Sequence, residues 1–307
     1  MPDHDHQAPR DAHPIASRAG FVAVAGRPNA GKSTLLNRLV GERLSIVSAK
    51  AQSTRQRVVG IYADEHTQLV ILDTPGLLTP RDTLHTQMRA NAVAALRDAD
   101  VIVHLIDATE PSLETLAHAA ALDVPPSAPV VRVYNKSDQL SAAQRESVLE
   151  RAPGARLVSA VTGEGIDELL QTLRTAVPEG PFLYPADELS THPLRFFCAE
   201  LVRETALEQL DEEVPHALAC AIEEFREQAT PVYIRAVLYV ERESQKRIVI
   251  GAGGTRIREI GRAAREKIEP LVGAKVFLDL WVKVQPNWRR DARALARFGY
   301  VDPAAGR

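Results

Sequence analysis

Residues 21–34 read FVAVAGRPNAGKST: a short apolar run, a glycine-rich loop and the first turn of a helix. The run FVAVAG (21–26) is continuous rather than alternating, the pattern of a strand covered on both faces. The loop matches G-x-x-x-x-G-K-[ST] through Gly26, Gly31, Lys32 and Ser33. Its glycines let backbone N–H groups close around phosphate oxygens, with Arg27, Pro28, Asn29 and Ala30 along the loop and Thr34 just beyond it. In such a loop the lysine reaches the β- and γ-phosphates, and the serine hydroxyl ligates Mg²⁺. Strand, loop and helix follow in the order this chemistry requires, so the stretch predicts a phosphate site in an α/β fold.

Outward from this loop the same texture repeats. TQLVILDTPG (67–76), VIVHLIDA (101–108), PVVRVYNKSD (129–138) and RLVSA (156–160) each carry a short apolar, β-branched run closed by polar residues or Gly. Helical stretches lie between them at 32–41, 85–99, 113–122, 141–152 and 165–177. This alternation predicts a doubly wound α/β domain over residues 19–178. PEGPFLYPADELSTHP (178–193) holds four prolines and a glycine and reads as a linker over 179–193. A second, α+β domain is predicted over 194–300. In it 194–210 is helical, and 216–228 begins as helix or strand. VYIRAVLYVER (232–242) and KRIVIG (246–251) read as strands, 255–273 as a basic amphipathic helix, and 275–284 as an alternating strand. Residues 1–18 and 301–307 read as tails, the first containing His4, His6 and His13.

Two further motifs choose the nucleotide. In DTPG (73–76), Asp73 is suited to hold Mg²⁺ through water, and the Gly76 N–H to meet a γ-phosphate, with Thr74 and Pro75 between them. In NKSD (135–138), Asp138 is suited to accept from the N1–H and 2-amino groups of guanine. Asn135 would donate to the far edge of the base, Lys136 would cover its face, and Ser137 completes the turn. VSA (158–160) adds Ser159 and an Ala160 N–H for the guanine O6. Adenine lacks the 2-amino group, so a site built for that donor pair selects GTP over ATP.

Composition limits the alternatives. Of 307 residues, 45% are hydrophobic and 25% charged, which excludes general disorder and suits about two domains. No run of about 18 apolar residues is present for a membrane-spanning helix, and the polar start lacks a secretory core. Two cysteines, Cys198 and Cys220, are too few for a disulfide framework or a four-cysteine zinc site and read as reduced, partly buried thiols. Charge is uneven. Residues 231–300 carry 15 Lys and Arg against 7 Asp and Glu, a balance of +8, which leaves −11 on the rest of a chain of net −3. A basic end on an acidic body suits a polyanion, or else is a solvated face.

Within that basic end, RIVIGAGGTRIREIG (247–261) predicts a strand, a G-x-x-G turn (Gly251, Ala252, Gly253, Gly254) and a basic helix. A small turn lets backbone approach a single-stranded sugar–phosphate chain, and Lys246, Arg256, Arg258 and Arg262 add positive field.

The order of nucleotide motifs resembles the translation-factor-related GTPases, and the loop KAQSTRQRVVGIY (50–62) strengthens the likeness. In such proteins a Thr of this loop senses the γ-phosphate and completes the Mg²⁺ shell. By its position before Arg55, Thr54 is the match, while Ser53 stands where the nearest family usually has another Thr, so the choice lies between these two. Lys32, Thr54 and Gly76 are then the residues expected to act at the γ-phosphate. Leu77 stands where Ras-like proteins carry a water-orienting Gln, which implies slow intrinsic hydrolysis. Asn29 resembles the residue that helps some relatives bind K⁺ beside the phosphates.

The turn at 251–254 resembles that of a prokaryotic-type KH domain. Over about residues 20–300, with the closing segment QPNWRRDARALARFGY (285–300), the chain resembles the Era family. The resemblance implies a monomeric, cytoplasmic, GTP-hydrolysing ribosome-assembly factor. Its KH domain would bind the 3′ end of small-subunit ribosomal RNA on a 30S-type subunit, and some members associate peripherally with the inner membrane. Ala252 stands where relatives often have Lys, which removes one phosphate contact. Two other functions compete: an RNA-binding scaffold with a regulatory, slowly hydrolysing nucleotide site, and a tRNA-modification-type GTPase. The latter carries a cofactor domain and often a terminal Cys, neither of which is visible in this sequence.

Overall fold

The computed structural model describes residues 17–48, 50, 53–77 and 79–300. The tails predicted at 1–18 and 301–307, with His4, His6 and His13, fall almost wholly outside these residues. The first sheet is built from β1 (Arg18–Ala25), β2 (Val58–Ala63), β3 (Thr67–Asp73), β4 (Val101–Asp107), β5 (Val130–Asn135) and β6 (Arg156–Leu157) in the order β2-β3-β1-β4-β5-β6. All neighbours are parallel except β2, which runs antiparallel to β3. Helices α1 (Lys32–Val40), α2 (Thr83–Asp98), α3 (Leu116–Ala119), α4 (Ala142–Arg151) and α5 (Ile166–Ala176) connect or flank these strands. Burial accounts for the continuous apolar runs: every residue of β3 is buried, and Val22, Ala23, Val24 and Ala25 of β1 are at 0% exposure. This is the doubly wound α/β arrangement expected of the first domain, with an antiparallel edge.

Three local features differ from the sequence reading. β2 lies within a stretch read as loop. Its signal, VVGIY followed by a turn, is a hairpin signal. Asp64 forms that turn by accepting from the His66 and Thr67 N–H groups. The helix read at 113–122 is a single turn, capped by the Thr115 side chain. Proline-rich 179–193 is tied down along the sheet edge. Ile61 N–H of β2 donates to the Leu189 carbonyl, and the fully buried Gln68 side chain binds backbone at Leu183 and Tyr184. The outer edge of β2 is thereby covered rather than left to pair with another chain.

The second sheet has β7 (Ala219–Arg226), β8 (Val232–Val240) and β9 (Val276–Val284), with β8 antiparallel to β7 and parallel to β9. On it lie α6 (Leu194–Gln209), α7 (Glu243–Ile250), α8 (Thr255–Val272) and α9 (Ala292–Arg297). The segment 246–251, read as a strand, is largely the end of α7. The Gln245 side chain accepts the Glu241 and Arg242 N–H groups at the helix start. The buried positions of α7, Gln245 and Val249, are four apart, while Ile248 in the apolar triplet is exposed. Three consecutive apolar residues were too short a run to tell strand from helix. Cys198 and Cys220 are free and buried, and burial pushes the Cys198 thiol up to about 12. The two halves meet in one core cluster, where Leu84 and Met88 of α2 pack with Trp288, Phe298 and Tyr300.

Candidate nucleotide site and RNA-binding groove

The loop between β1 and α1 is shaped by positions where a side chain has no room. At Gly31 (φ 94°) a Cβ would fall 2.2 Å from Asn135 Nδ2, and at Gly26 it would fall 2.1 Å from the Leu105 carbonyl oxygen. The loop rims a cleft of about 350 Å³ whose walls include Pro28, Asn29, Lys32, Ser33 and Thr34. Lys32 is 6% exposed, and its ammonium donates back to the carbonyls of Gly26 (3.2 Å) and Arg27 (3.0 Å). Burial lowers its pKa to about 8, against the opposing pull of Asp73.

Asp73, at the carboxyl end of β3, is fully buried. Its Oδ2 accepts from Ser33 Oγ (2.7 Å), Ser45 Oγ (2.7 Å) and Thr54 Oγ1 (3.3 Å), and Ser33 Oγ and Thr54 Oγ1 are 2.8 Å apart. Burial raises the carboxyl above its usual range, while Lys32 and the three hydroxyls oppose that shift. Oδ1 is buried with no hydrogen-bond partner. A cluster of oxygens with an orphaned carboxylate atom is the donor set of a hard cation, and these residues fit Mg²⁺. Of the two loop residues weighed for this place, Thr54 turns its hydroxyl to Ser33 and Asp73; Ser53 lines the cleft.

The remaining residues of DTPG divide. Gly76 lines the cleft against Pro28, where an added Cβ would come within 2.9 Å of Pro28 N. Thr74 is buried and donates to the Val24 carbonyl, and Pro75 is buried beside it. Leu77 turns away: its N–H donates to the Gly26 carbonyl at 3.0 Å, and its side chain packs with Ala23, Ala25, Ala92 and Leu96.

On the base side, Asn135 is a tie. Its Nδ2 donates to the Ala30 carbonyl at 2.8 Å, and its Oδ1 accepts the Ala160 N–H at 2.9 Å. The two groups assigned to the base are thus engaged with each other and with the phosphate loop. Asp138 remains exposed, positioned by Ser159 Oγ at 2.5 Å, and Ser137 turns to Glu164. Lys136, at φ 69°, lies over the cleft with its ammonium 2.5 Å from Asp107. Sequence reasoning missed Ser45, Ile46, Val47 and Asp107. Only Asp107, ending an apolar strand, carried a signal.

In the second domain, the 251–254 turn joins α7 to α8, so the motif is helix–turn–helix rather than strand–turn–helix. Gly251 (φ 73°), Gly253 (φ 59°) and Gly254 (φ 75°) all occupy backbone that side chains resist, and Ala252 is exposed between them. Arg256, Arg258 and Arg262 are exposed on α8, with Lys246 half-buried on α7. Arg258 and Arg262 line a groove of about 460 Å³ between α8 and β9, with Arg265, Phe277, Leu278 and Leu280, which the sequence reading did not single out.

Fold and site together define a GTPase of the P-loop class joined to a KH domain. The family described as "50S ribosome-binding GTPase" matches residues 21–136, and the "KH domain" family matches residues 213–289. GTPase Era of Carboxydothermus hydrogenoformans is 40% identical over 304 residues, covering 94% of this chain and 99% of that protein. GTPase Era of Leuconostoc citreum is 41% identical over 292 residues, covering 92% and 96%. A crystal structure of an Aquifex aeolicus Era variant bound to GDP and AlF4⁻ superposes with a TM-score of 0.85 at 38% identity, covering 93% of this chain and all of that one. A crystal structure of Era with MgGDPNP and nucleotides 1506–1542 of 16S ribosomal RNA gives 0.86 at 38% identity, with the same coverage. The chain belongs to the Era GTPase family and is a GTP-hydrolysing enzyme.

Proposed function

We propose that this protein is an assembly factor of the small ribosomal subunit, whose KH domain grips the 3′ end of small-subunit ribosomal RNA while GTP hydrolysis times the contact. The observation that carries this reading is the union, in one chain, of a guanine-type motif set with a G-x-x-G turn heading a basic helix and groove. The RNA-bound relative supports it at 38% identity.

In this reading Lys32 and the loop 26–34 hold the phosphates, and Asp138 reads the guanine N1–H and 2-amino groups. Ser33, Thr54 and Asp73 hold Mg²⁺, which neutralises charge developing at the γ-phosphate when bound. Thr54 and Gly76 respond to the γ-phosphate, so hydrolysis releases their segments and changes how the two domains dock. Because Leu77 is committed to the core, its side chain positions no water, and intrinsic turnover is slow. Asn29 would hold K⁺ beside the phosphates, where the ion would supply the missing positive charge.

The protein works as a cytoplasmic monomer. Any contact with the inner membrane is read as peripheral, as the family resemblance implies; no helix among the described residues is long and apolar enough to cross a bilayer. Filter binding of a 3′-end small-subunit RNA tests the reading: GTP-analogue and GDP forms should differ in affinity, and a scrambled RNA should bind far more weakly. Equal affinity in both nucleotide states removes the switch, and equal hydrolysis in K⁺ and Na⁺ removes the potassium site.

A further inference from the structure

The loop that carries Thr54 is held from outside its own domain. Two consecutive residues of α6, Arg203 and Glu204, are 1% and 0% exposed. Arg203 Nη2 donates to the Ser53 carbonyl at 2.5 Å, one peptide unit before Thr54. The same guanidinium is gripped by Glu200 of α6, which accepts from Nε at 2.8 Å and from Nη2 at 2.6 Å. Glu204 holds the other end of the loop. Its Oε1 accepts the Val47 N–H at 3.0 Å, and its Oε2 accepts from Arg43 Nη2 at 2.8 Å. Val47 and Ser53 both line the nucleotide cleft.

Stability is a poor explanation for this arrangement. A buried guanidinium costs free energy unless its donors are met, and Arg203 Nη1 is buried with no hydrogen-bond partner. An apolar side chain of similar volume would fill the same space at no such cost. It would not hold the Ser53 carbonyl. The peptide unit is planar and stiff, so fixing that carbonyl also fixes the Thr54 nitrogen. The Thr54 hydroxyl, one φ and one χ1 rotation beyond that plane, lies 2.8 Å from Ser33 Oγ.

We infer that Arg203 is a positioning residue for the nucleotide site: the first helix of the RNA-binding domain completes the γ-phosphate and Mg²⁺ side of the GTPase cleft through the Ser53 carbonyl. Glu204 does the same for Val47. The inference rests on the reading of Thr54 as a Mg²⁺ and γ-phosphate residue, and it assigns the placement of that residue to the other domain.

The test uses the full-length protein and calorimetric titration of GDPNP at a series of Mg²⁺ concentrations, with GDP titrated in parallel. For Arg203→Met, the Mg²⁺ needed for half-maximal GDPNP affinity should rise about tenfold while GDP affinity is unchanged. A general loss of structure would lower both affinities. Arg203→Lys keeps the charge and loses the fork, should shift the same way by less, and carries the test if Arg203→Met does not fold. A folded Arg203 variant with the wild-type Mg²⁺ requirement overturns the inference. Thr54→Ala, titrated alongside, separates the two levels. An unchanged Mg²⁺ requirement in Thr54→Ala removes the reading beneath; a raised one, with Arg203 variants unaffected, removes the positioning role alone.

Discussion

The hydroxyls of Ser33 and Thr54, from the phosphate loop and from a loop 21 residues further on, lie 2.8 Å apart over the buried carboxylate of Asp73. Both hydroxyls donate to Asp73 Oδ2, so three oxygens converge at one place, a donor set suited to a hard cation.

Ser33→Ala should therefore raise the Mg²⁺ concentration required for GTP hydrolysis by about 10–100-fold. Thermal stability should change little, because Asp73 Oδ2 keeps its bonds from Ser45 and Thr54. Turnover measured against Mg²⁺, beside a melting curve, checks this. A large fall in melting temperature with an unaltered Mg²⁺ requirement would make Ser33 structural.

Proton uptake should accompany nucleotide binding at alkaline pH. Lys32 in the free protein sits at about 8, below its ordinary 10.5, because burial penalises the ammonium. Bound phosphates favour the charged form and raise the pKa again, so binding takes up a proton wherever the free form has lost it. Uptake should be about 0.1 proton at pH 7 and about 0.9 at pH 9. Affinity should accordingly weaken as pH climbs through 8. Calorimetry in buffers of different ionisation enthalpy measures the uptake directly, and Lys32→Met should abolish it.

Asp138→Asn should exchange one base for another. The carboxylate accepts two donors from guanine; the amide accepts one and donates one. Xanthine carries a carbonyl where guanine carries the 2-amino group, so the variant should lose about 100-fold in GTP affinity and prefer xanthosine triphosphate. Competition between the two nucleotides decides the point. The same preference before and after substitution would move base recognition elsewhere.

Arg258→Ala and Arg262→Ala should each weaken RNA binding and reduce the steepness of its salt dependence by up to about one unit of log Kd per log salt. Both side chains line the groove beside β9 and neither lines the nucleotide cleft, so GTP turnover without RNA should stay at the wild-type rate. Fluorescence anisotropy with a single-stranded 3′-end RNA across a salt series is the measurement. Loss of affinity with an unchanged slope would mean the arginines act through packing.

The parts legible in the sequence were those whose chemistry is carried by neighbouring residues. The phosphate loop is one: G-x-x-x-x-G-K-[ST] closes around an anion with its own backbone amides, and the apolar run before it reports two covered faces. The same holds for DTPG and NKSD at strand ends, and for the three glycines of the 251–254 turn. Short apolar runs were less legible. VVGIY reads as a strand only once its hairpin partner is known, and IVI in α7 becomes helical because Gln245 caps it and, of the three, Val249 is fully buried and Ile250 packs at the core's edge while Ile248 is exposed.

From the sequence alone come the α/β class of the first domain, the nucleotide chemistry and the basic, glycine-turned RNA element, since each depends on contiguous residues. Only the tertiary structure decides that Thr54 and not Ser53 meets Ser33, that Asn135 ties the phosphate loop to Ala160, that Leu77 belongs to the core, and that Arg203 reaches Ser53. Those contacts join residues remote in sequence, 21 positions apart for Ser33 and Thr54 and 150 for Ser53 and Arg203. No local pattern encodes them, because burial and distance between remote side chains are set only when sheet and helices close on one another.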